Sequence, residues 1–474
     1  MITRIEIDGF KTFQEFALDL SPLQVIVGPN GVGKSNLFDG LQLLSKLARE
    51  DLRSAFSQMR GDARELFTIQ PDGTPVKRMK LAVEMLVNRT VSDDWGATEE
   101  LRYPRMRYEL SIVRQPDQIG LDRLYVTHES LAPIPRQKDR WTQWLGLATG
   151  SGWIPKMTGG RTPFISTENE QGKSTLTLHQ DNRPGRRHLV AEQAERTVLS
   201  GVQNTEFPHA FAVAEEMRAW RFLQINPEVL RLPSPMIGST TMNSDGKFLA
   251  VVLARLQAAD RSILNEISLD LANLVSGIAH IEVEADRTRD QFVIWATMSD
   301  GRRFSSRVLS DGTLRMLALI TLKNDPDYEG VLCFEEPENG VHPYRLSKIG
   351  QLLKDLSTDF AQEGEHELPL RQVLCNTHSP VFINDPSILP YVLFAHTASR
   401  VDPKSRTSQQ VTRITPVQTD PLQPVLFPIS PEERAYTLSE VRDYLESGNP
   451  EEALQSIGLP YRQNGDAVTE SALA

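Results

Sequence analysis

Gly28-Pro29-Asn30-Gly31-Val32-Gly33-Lys34-Ser35 is the stretch on which the fold turns. It meets the pattern G-x-x-x-x-G-K-S at every fixed position. Before it, Leu23, Val25 and Val27 form a short apolar run that reads as a strand. After it, Leu37, Leu41, Leu44 and Leu47 recur at three- and four-residue spacing, one face of a helix. Strand, glycine loop and helix in that order are the context the pattern requires. The glycines let backbone N–H groups curl around phosphate oxygens, and the helix N-terminus adds positive potential. The segment from Gly28 to Asn36 is therefore read as a nucleotide cradle. Lys34 is expected to reach the β- and γ-phosphates, and Ser35 to offer its hydroxyl to Mg²⁺.

A second Gly172-Lys173-Ser174 is a decoy, because position 167 is Thr where the pattern needs Gly. Ser174 to Leu178 alternates instead like a strand. Farther along, Val331-Leu332-Cys333-Phe334-Glu335-Glu336-Pro337 reads as a buried strand ending in two carboxylates. In a parallel sheet such a strand delivers acids to the carboxyl edge, where ligands of α/β folds bind. Glu335 is expected in the Mg²⁺ shell, and Glu336 is expected to polarise an attacking water. Ser310 caps the helix opened by Leu309-Ser310-Asp311-Gly312-Thr313-Leu314-Arg315, and Gly312 permits close backbone approach. Asn376-Thr377-His378-Ser379-Pro380 follows a second buried strand, Val373-Leu374-Cys375, so His378 repeats the geometry of the two acids one strand away.

In this order the four elements resemble the ATP-binding-cassette-type ATPase head of the SMC/RecF-like superfamily, and within it the compact AAA15/AAA21 branch that includes the ATPase part of OLD-family proteins. Ile5-Glu6-Ile7-Asp8-Gly9-Phe10-Lys11 is similar to that family's start. The resemblance makes residues 28–35 Walker A, 309–315 the signature and 331–336 Walker B. It makes 338–343 the D-loop region and His378 the switch histidine. It covers roughly 1–90 and 205–395. Asp311 stands where transporter-type cassettes have a second glycine, and Glu335 where the superfamily usually has Asp. For the Q-loop glutamine the interval holds two candidates, Gln58 and Gln70.

Ser35 and Leu309 lie 274 positions apart, so the ATPase head is expected to be an α/β unit built from both ends of the chain. The expected divisions are an N-terminal lobe (1–90), an insertion (91–225), a C-terminal lobe (226–395) and a C-terminal extension (396–474) with a disordered tail. The resemblance further implies Mg²⁺-dependent ATP hydrolysis in a head-to-head dimer, with Ser310, Asp311 and Gly312 completing the partner's nucleotide site. Two roles follow from the resemblance. One is the sensor ATPase of a bacterial anti-phage system, controlling a separate toxin or nuclease and triggered by DNA or a phage product. The other is a repair ATPase that clamps DNA ends or gaps.

Composition narrows these classes. The chain has 474 residues, 39% hydrophobic and 24% charged, too apolar for a disordered protein. Two cysteines exclude a disulfide framework and a cysteine-based zinc module. No stretch has the roughly 18 apolar residues a membrane span needs, and the N-terminus has no signal-peptide core, so the expected compartment is the cytoplasm. The net charge of −11 argues against a protein that coats DNA generally. One stretch runs the other way: residues 132–188 carry nine Lys/Arg against four Asp/Glu, together with Trp141, Trp144 and Trp153. It is read as an irregular insertion, and as a solvated loop, a protein-docking surface or a nucleic-acid contact. Helical periodicity is read over 190–222, 246–278 and 436–456, and no heptad pattern lasts long enough for a coiled-coil arm.

Overall fold

Alternation within the short apolar strands builds a layer covered on both faces. In a computed structural model of the chain, Leu23–Val27, Gly330–Glu335 and Arg371–Thr377 lie side by side and parallel. The structure describes all residues except 118, 148–150, 152, 155–161, 171–172, 181–185, 191–193, 340–345, 362–368, 380–384, 402–407, 419–435 and 447–474. Residues 340–343 of the D-loop region, Gly172 of the decoy and the tail therefore lie outside the described residues.

The full sheet has seven strands, in the order Arg221–Leu223, Gly330–Glu335, Arg371–Thr377, Leu23–Val27, Val392–Val401, Ser408–Gln418 and Tyr436–Thr437. Ile26, Val331, Cys333 and Leu374 point to one face and join one core; Val25, Val27, Leu332, Phe334, Val373 and Cys375 point to the other. Both faces being buried explains why these strands read as continuous apolar runs, and why both cysteines are small core residues. The first face is covered by the helices Lys34–Leu47 and Pro208–Ala219. The second is covered by Leu249–Ala259, Arg261–Leu274, Asp311–Lys323 and Leu346–Asp355.

A second, antiparallel sheet of eight strands packs over the first core. Its order is Arg186–Val190, Lys173–His179, Ile165–Glu170, Asp122–Pro133, Arg105–Pro116, Arg78–Leu86, Ile2–Asp8 and Phe16–Asp19. Ile5 pairs with Leu18 on one side and Val83 on the other, all three buried. A small sheet formed around Ile278–Asp286 and Gln291–Met298 flanks the second core.

Three segments differ from the sequence expectation. The stretch 132–188, read as irregular, contributes three strands of the antiparallel sheet. Ile165–Glu170 and Arg186–Val190 are mostly polar or charged, so their two-residue alternation is weak, whereas Ser174–Leu178 alternates as expected within the Lys173–His179 strand. Trp141 and Trp153 are buried rather than offered to solvent, and both meet the ring of Phe360 edge-on, at 5.4 and 4.6 Å between centroids. Arg105, 1% exposed, holds Asp139 through two 2.9 Å hydrogen bonds and anchors this segment. Among the described residues of 190–222 the α-helix covers Pro208–Ala219, preceded by a 3₁₀ turn at Leu199–Gly201. The long pattern over 246–278 is two helices, because Asp260 caps the second by accepting from Ser262 N–H at 2.8 Å.

Candidate functional site

The parallel register brings the sequence motifs to one edge of one sheet. Val27 pairs with Thr377 and Glu335 with Asn376, so the chain beyond each strand emerges at the same end. From there Gly28–Gly33 turn into the Lys34–Leu47 helix. Gly31 (φ +84) and Gly33 (φ +97) take left-handed conformations that favour glycine. A Cβ on Gly33 would lie 2.2 Å from Thr412 Oγ1. Thr412 itself donates to the Val32 carbonyl at 2.7 Å, and its N–H reaches the Thr12 carbonyl at 3.1 Å. Asn36 Nδ2 reaches Thr12 Oγ1 at 2.9 Å. The loop is thus braced from both ends of the chain. Thr12 and Thr412 carry no motif; only their proximity, unreadable in sequence, marks them.

Lys34 is 8% exposed and donates to the carbonyls of Gly28 and Pro29 at 2.6 and 2.8 Å, its own loop. Burial draws its pKa down to about 8, while the charges of Glu336, Glu338 and Glu335 pull the other way. The strand-end carboxylates Glu335 and Glu336 thus act on a buried lysine beside the Gly28–Gly33 loop. That combination fits a nucleotide together with a divalent cation. Among the described residues no group of three His, Cys, Asp or Glu is arranged to hold a metal ion by protein ligands alone, so such a cation would share its shell with phosphate oxygens.

Glu335 accepts from Asn376 Nδ2 at 3.2 Å and from Gln224 Nε2 at 3.3 Å. Gln224 follows the short Arg221–Leu223 strand, which runs parallel to the Glu335 strand at the sheet's edge. Sequence reading missed it, because a single glutamine after a three-residue strand has no pattern. The two glutamines considered there lie elsewhere: Gln58 bonds Lys46 on the surface, and Gln70 closes a turn with Thr74. Glu336 has left-handed backbone, φ +49, and its Oε1 lies 3.0 Å from His378 Nδ1. Glu338 Oε1 accepts from Thr377 Oγ1, and burial pushes its carboxyl pKa up.

The signature segment lies on the other side of the Glu335 strand. Ser310 Oγ accepts from Thr313 N–H at 3.3 Å and caps the Asp311–Lys323 helix. Gly312 is buried in its first turn, and Asp311 is exposed and paired with Arg231. Arg231 also donates to the Leu309 carbonyl at 3.2 Å. One turn into the helix, Arg315 has a buried Nε with no hydrogen-bond partner among the described residues. Burial lowers its pKa, and the charges of Asp311 and Glu336 partly offset that effect.

Comparison with known proteins matches two family models to successive segments of the chain. A family model described as "AAA ATPase domain" matches residues 1–177. One described as "AAA domain, putative AbiEii toxin, Type IV TA system" matches residues 246–384. The chromosome partition protein Smc of Bordetella petrii is 21% identical over 294 residues, 59% of this chain and 23% of that protein. The matched stretch is thus under a quarter of that relative's length. Among solved structures, the Smc head bound to the C-winged-helix domain of ScpA gives a TM-score of 0.44 at 14% identity, covering 87% of this chain and 98% of that one. The SMC head domain from Thermotoga maritima gives 0.35 at 13%, covering 88% and 99%. No helix among the described residues is long and apolar enough to cross a membrane. Two AAA-type family models thus match successive segments of the chain, whose motifs meet at one edge of one parallel sheet, and the chain resembles ATPases of that type over those segments.

Proposed function

We propose that this chain binds ATP with Mg²⁺ and hydrolyses it at the Gly28–Asn36 loop. The observation that carries this is the shared edge of three adjacent parallel strands, which collects Lys34, Ser35, Glu335, Glu336 and His378. In this reading Ser35 and Glu335 hold the cation, Gln224 orients Glu335, and the Gly28–Ser35 amides with Lys34 hold the phosphates. Such a cation, when bound, would neutralise phosphate charge. Glu336 accepts the proton of the attacking water, and His378 fixes the position of its carboxylate. The test is turnover and nucleotide binding in a folded Lys34→Ala protein, where both should be lost. Wild-type turnover in that variant would remove the assignment.

The dimer follows from the signature. By the resemblance of this segment to the family's signature, we place Ser310 and Gly312 on the partner's ATP. A Lys34→Ala subunit mixed with a Gly312→Asp subunit should then regain part of the activity, since one composite site per dimer is intact. No rescue in proven mixed dimers would count against the sandwich.

The biological output we favour is a regulatory ATPase of an anti-phage system acting on a separate effector. Its support is the toxin–antitoxin description of the model matching 246–384. The second reading, a DNA-clamping repair ATPase, draws on the Smc relative. Hydrolysis stimulated by DNA in the purified protein favours the second; tight co-purification with the neighbouring gene's product favours the first.

A further inference from the structure

The end of the Arg371–Thr377 strand holds the acidic turn residue by residue. Asn376 donates to Glu335 at 3.2 Å, and its carbonyl accepts from Glu336 N–H at 2.9 Å. Thr377 Oγ1 donates to Glu338, and His378 Nδ1 lies 3.0 Å from Glu336 Oε1. Glu336 itself sits at φ +49, a conformation that non-glycine residues avoid and that persists only where neighbours over-determine it. Two bonds that help, from Asn339 N–H to the Glu336 carbonyl at 3.1 Å and from Asn339 Nδ2 to Glu336 Oε2 at 2.5 Å, stay inside the turn. They shape it but do not fasten its far end to the sheet. Thr377 does, through Glu338.

Two details say that this bond is more than packing. Thr377 is fully buried, and its hydroxyl also accepts from Ser379 N–H at 2.9 Å, which leaves its own proton for Glu338. Glu338 Oε2 is buried with no hydrogen-bond partner among the described residues. A half-satisfied buried carboxylate is a poor choice for stability alone.

We propose that Glu338 and Thr377 are a positioning pair whose hydrogen bond clamps the Glu336–Asn339 turn to the strand bearing His378, and so holds the Glu336 carboxylate facing that histidine. Neither residue touches the reacting atoms. The effect on turnover rests on the ATPase reading above; the effect on the turn does not.

The experiment compares Thr377→Val, Thr377→Ser, Glu338→Ala, Glu338→Gln and the Glu338→Ala/Thr377→Val double variant. Each is measured for kcat, KM and affinity for a fluorescent ATP analogue. Misplacing a catalytic group by about an ångström costs on the order of 100-fold, so Thr377→Val and Glu338→Ala should lose roughly 10- to 100-fold in kcat while analogue affinity holds. Thr377→Ser keeps the hydroxyl and Glu338→Gln keeps an acceptor oxygen, so both should stay near wild type. The double variant should be no slower than the worse single one, because both changes remove the same bond. Additive losses, an unchanged kcat, or a Ser variant as slow as Val would overturn the pair. Loss of analogue affinity together with kcat would also overturn it, making Glu338 a ligand of nucleotide or cation. Amide hydrogen exchange of the peptide containing Glu336 tests the clamp without turnover. It should speed up in Thr377→Val and return to normal in Thr377→Ser. If the wild-type protein proves not to hydrolyse ATP, the ATPase reading falls and this exchange decides the pair, equal rates in all three proteins refuting it.

Discussion

Gln224 Nε2 donates to Glu335 Oε2 across 3.3 Å, joining the edge strand of the parallel sheet to the acid at the end of its neighbour. The two residues are 111 apart in sequence, and the parallel register of Leu223 with Phe334 is what brings them level. A neutral amide that donates to a carboxylate fixes the direction of its remaining lone pairs. At a cation site this orients the ligand oxygen.

Replacing Gln224 with Ala should therefore weaken Mg²⁺-dependent turnover by about 10- to 100-fold, the usual cost of removing a group that orients a metal ligand. Raising the Mg²⁺ concentration should restore part of the loss. Gln58→Ala and Gln70→Ala should leave turnover unchanged, since both side chains are spent on surface contacts. A Gln224→Ala protein with the wild-type Mg²⁺ dependence would remove this role.

Gly33 carries two constraints at once, φ +97 and the Thr412 hydroxyl against its α-carbon. Left-handed backbone costs a residue with a Cβ roughly 1–2 kcal/mol before any clash. Gly33→Ala should therefore distort the loop and abolish nucleotide binding with only a modest fall in melting temperature, because the helix behind it is held by Leu37, Leu41 and Leu44. Thr412→Val, which removes the bond to the Val32 carbonyl, should lower affinity with a smaller effect. Nucleotide titration of both proteins, with melting curves, checks the pair. Unimpaired binding by Gly33→Ala would show that the loop tolerates a rearrangement the geometry forbids.

Away from the site, Glu129 is fully buried and accepts from Val198 N–H, Leu199 N–H and the Tyr108 hydroxyl at 2.6, 2.9 and 3.1 Å. Burial pushes its pKa up to about 7, against the pull of those three donors. The folded pKa exceeds the unfolded one, so the folded protein binds more protons between pH 4.5 and 7. Its contribution is fully present below about pH 4.5 and is lost as pH rises through 7, on the order of 3 kcal/mol in all. Glu129→Gln cannot titrate. The difference in melting temperature, wild type minus Glu129→Gln, should fall steadily from pH 4.5 to 8. A difference that does not change with pH would show that Glu129 is ionised throughout.

The parts of this fold that were readable share one property: they are local and periodic. The Leu23–Val27 and Val331–Phe334 strands announce themselves as apolar runs stopped by a glycine loop or by acids, and the Ser310 cap lies three residues from the amide it serves. What escaped depends on distance. Gln224 and Thr412 act on Glu335 and Val32 across 111 and 380 positions, and neither sits in a pattern. The strands Ile165–Glu170 and Arg186–Val190 escaped because their mostly polar or charged sequences give little contrast between faces, whereas the alternation of Ser174–Leu178 was readable. Trp141 looked available for a partner, yet its indole donates to the Leu20 carbonyl at 2.8 Å inside the molecule.

Glu335 and Glu336 are adjacent but differently held, and that difference predicts opposite behaviour for the same substitution. Glu335 ends a regular strand and is gripped by two amide donors, Asn376 and Gln224, so its oxygens are fixed as a ligand's should be. Glu336 is turned into left-handed backbone, and its carboxylate is engaged by His378 and Asn339. Glu336→Gln keeps size and one acceptor oxygen but cannot take a proton. General-base help is typically worth about 10²–10⁴-fold, so turnover should collapse while ATP still binds. Retained ATP would keep each signature helix engaged with the opposite nucleotide, so dimers should accumulate in light scattering. Glu335→Gln removes a negative charge from the cation shell instead, and nucleotide affinity in Mg²⁺ should fall with turnover. Turnover, affinity and mass for both variants, with and without ATP, separate the roles. If Glu335→Gln traps ATP and Glu336→Gln releases it, the two carboxylates have exchanged functions; if neither slows turnover, catalysis does not run through this strand end.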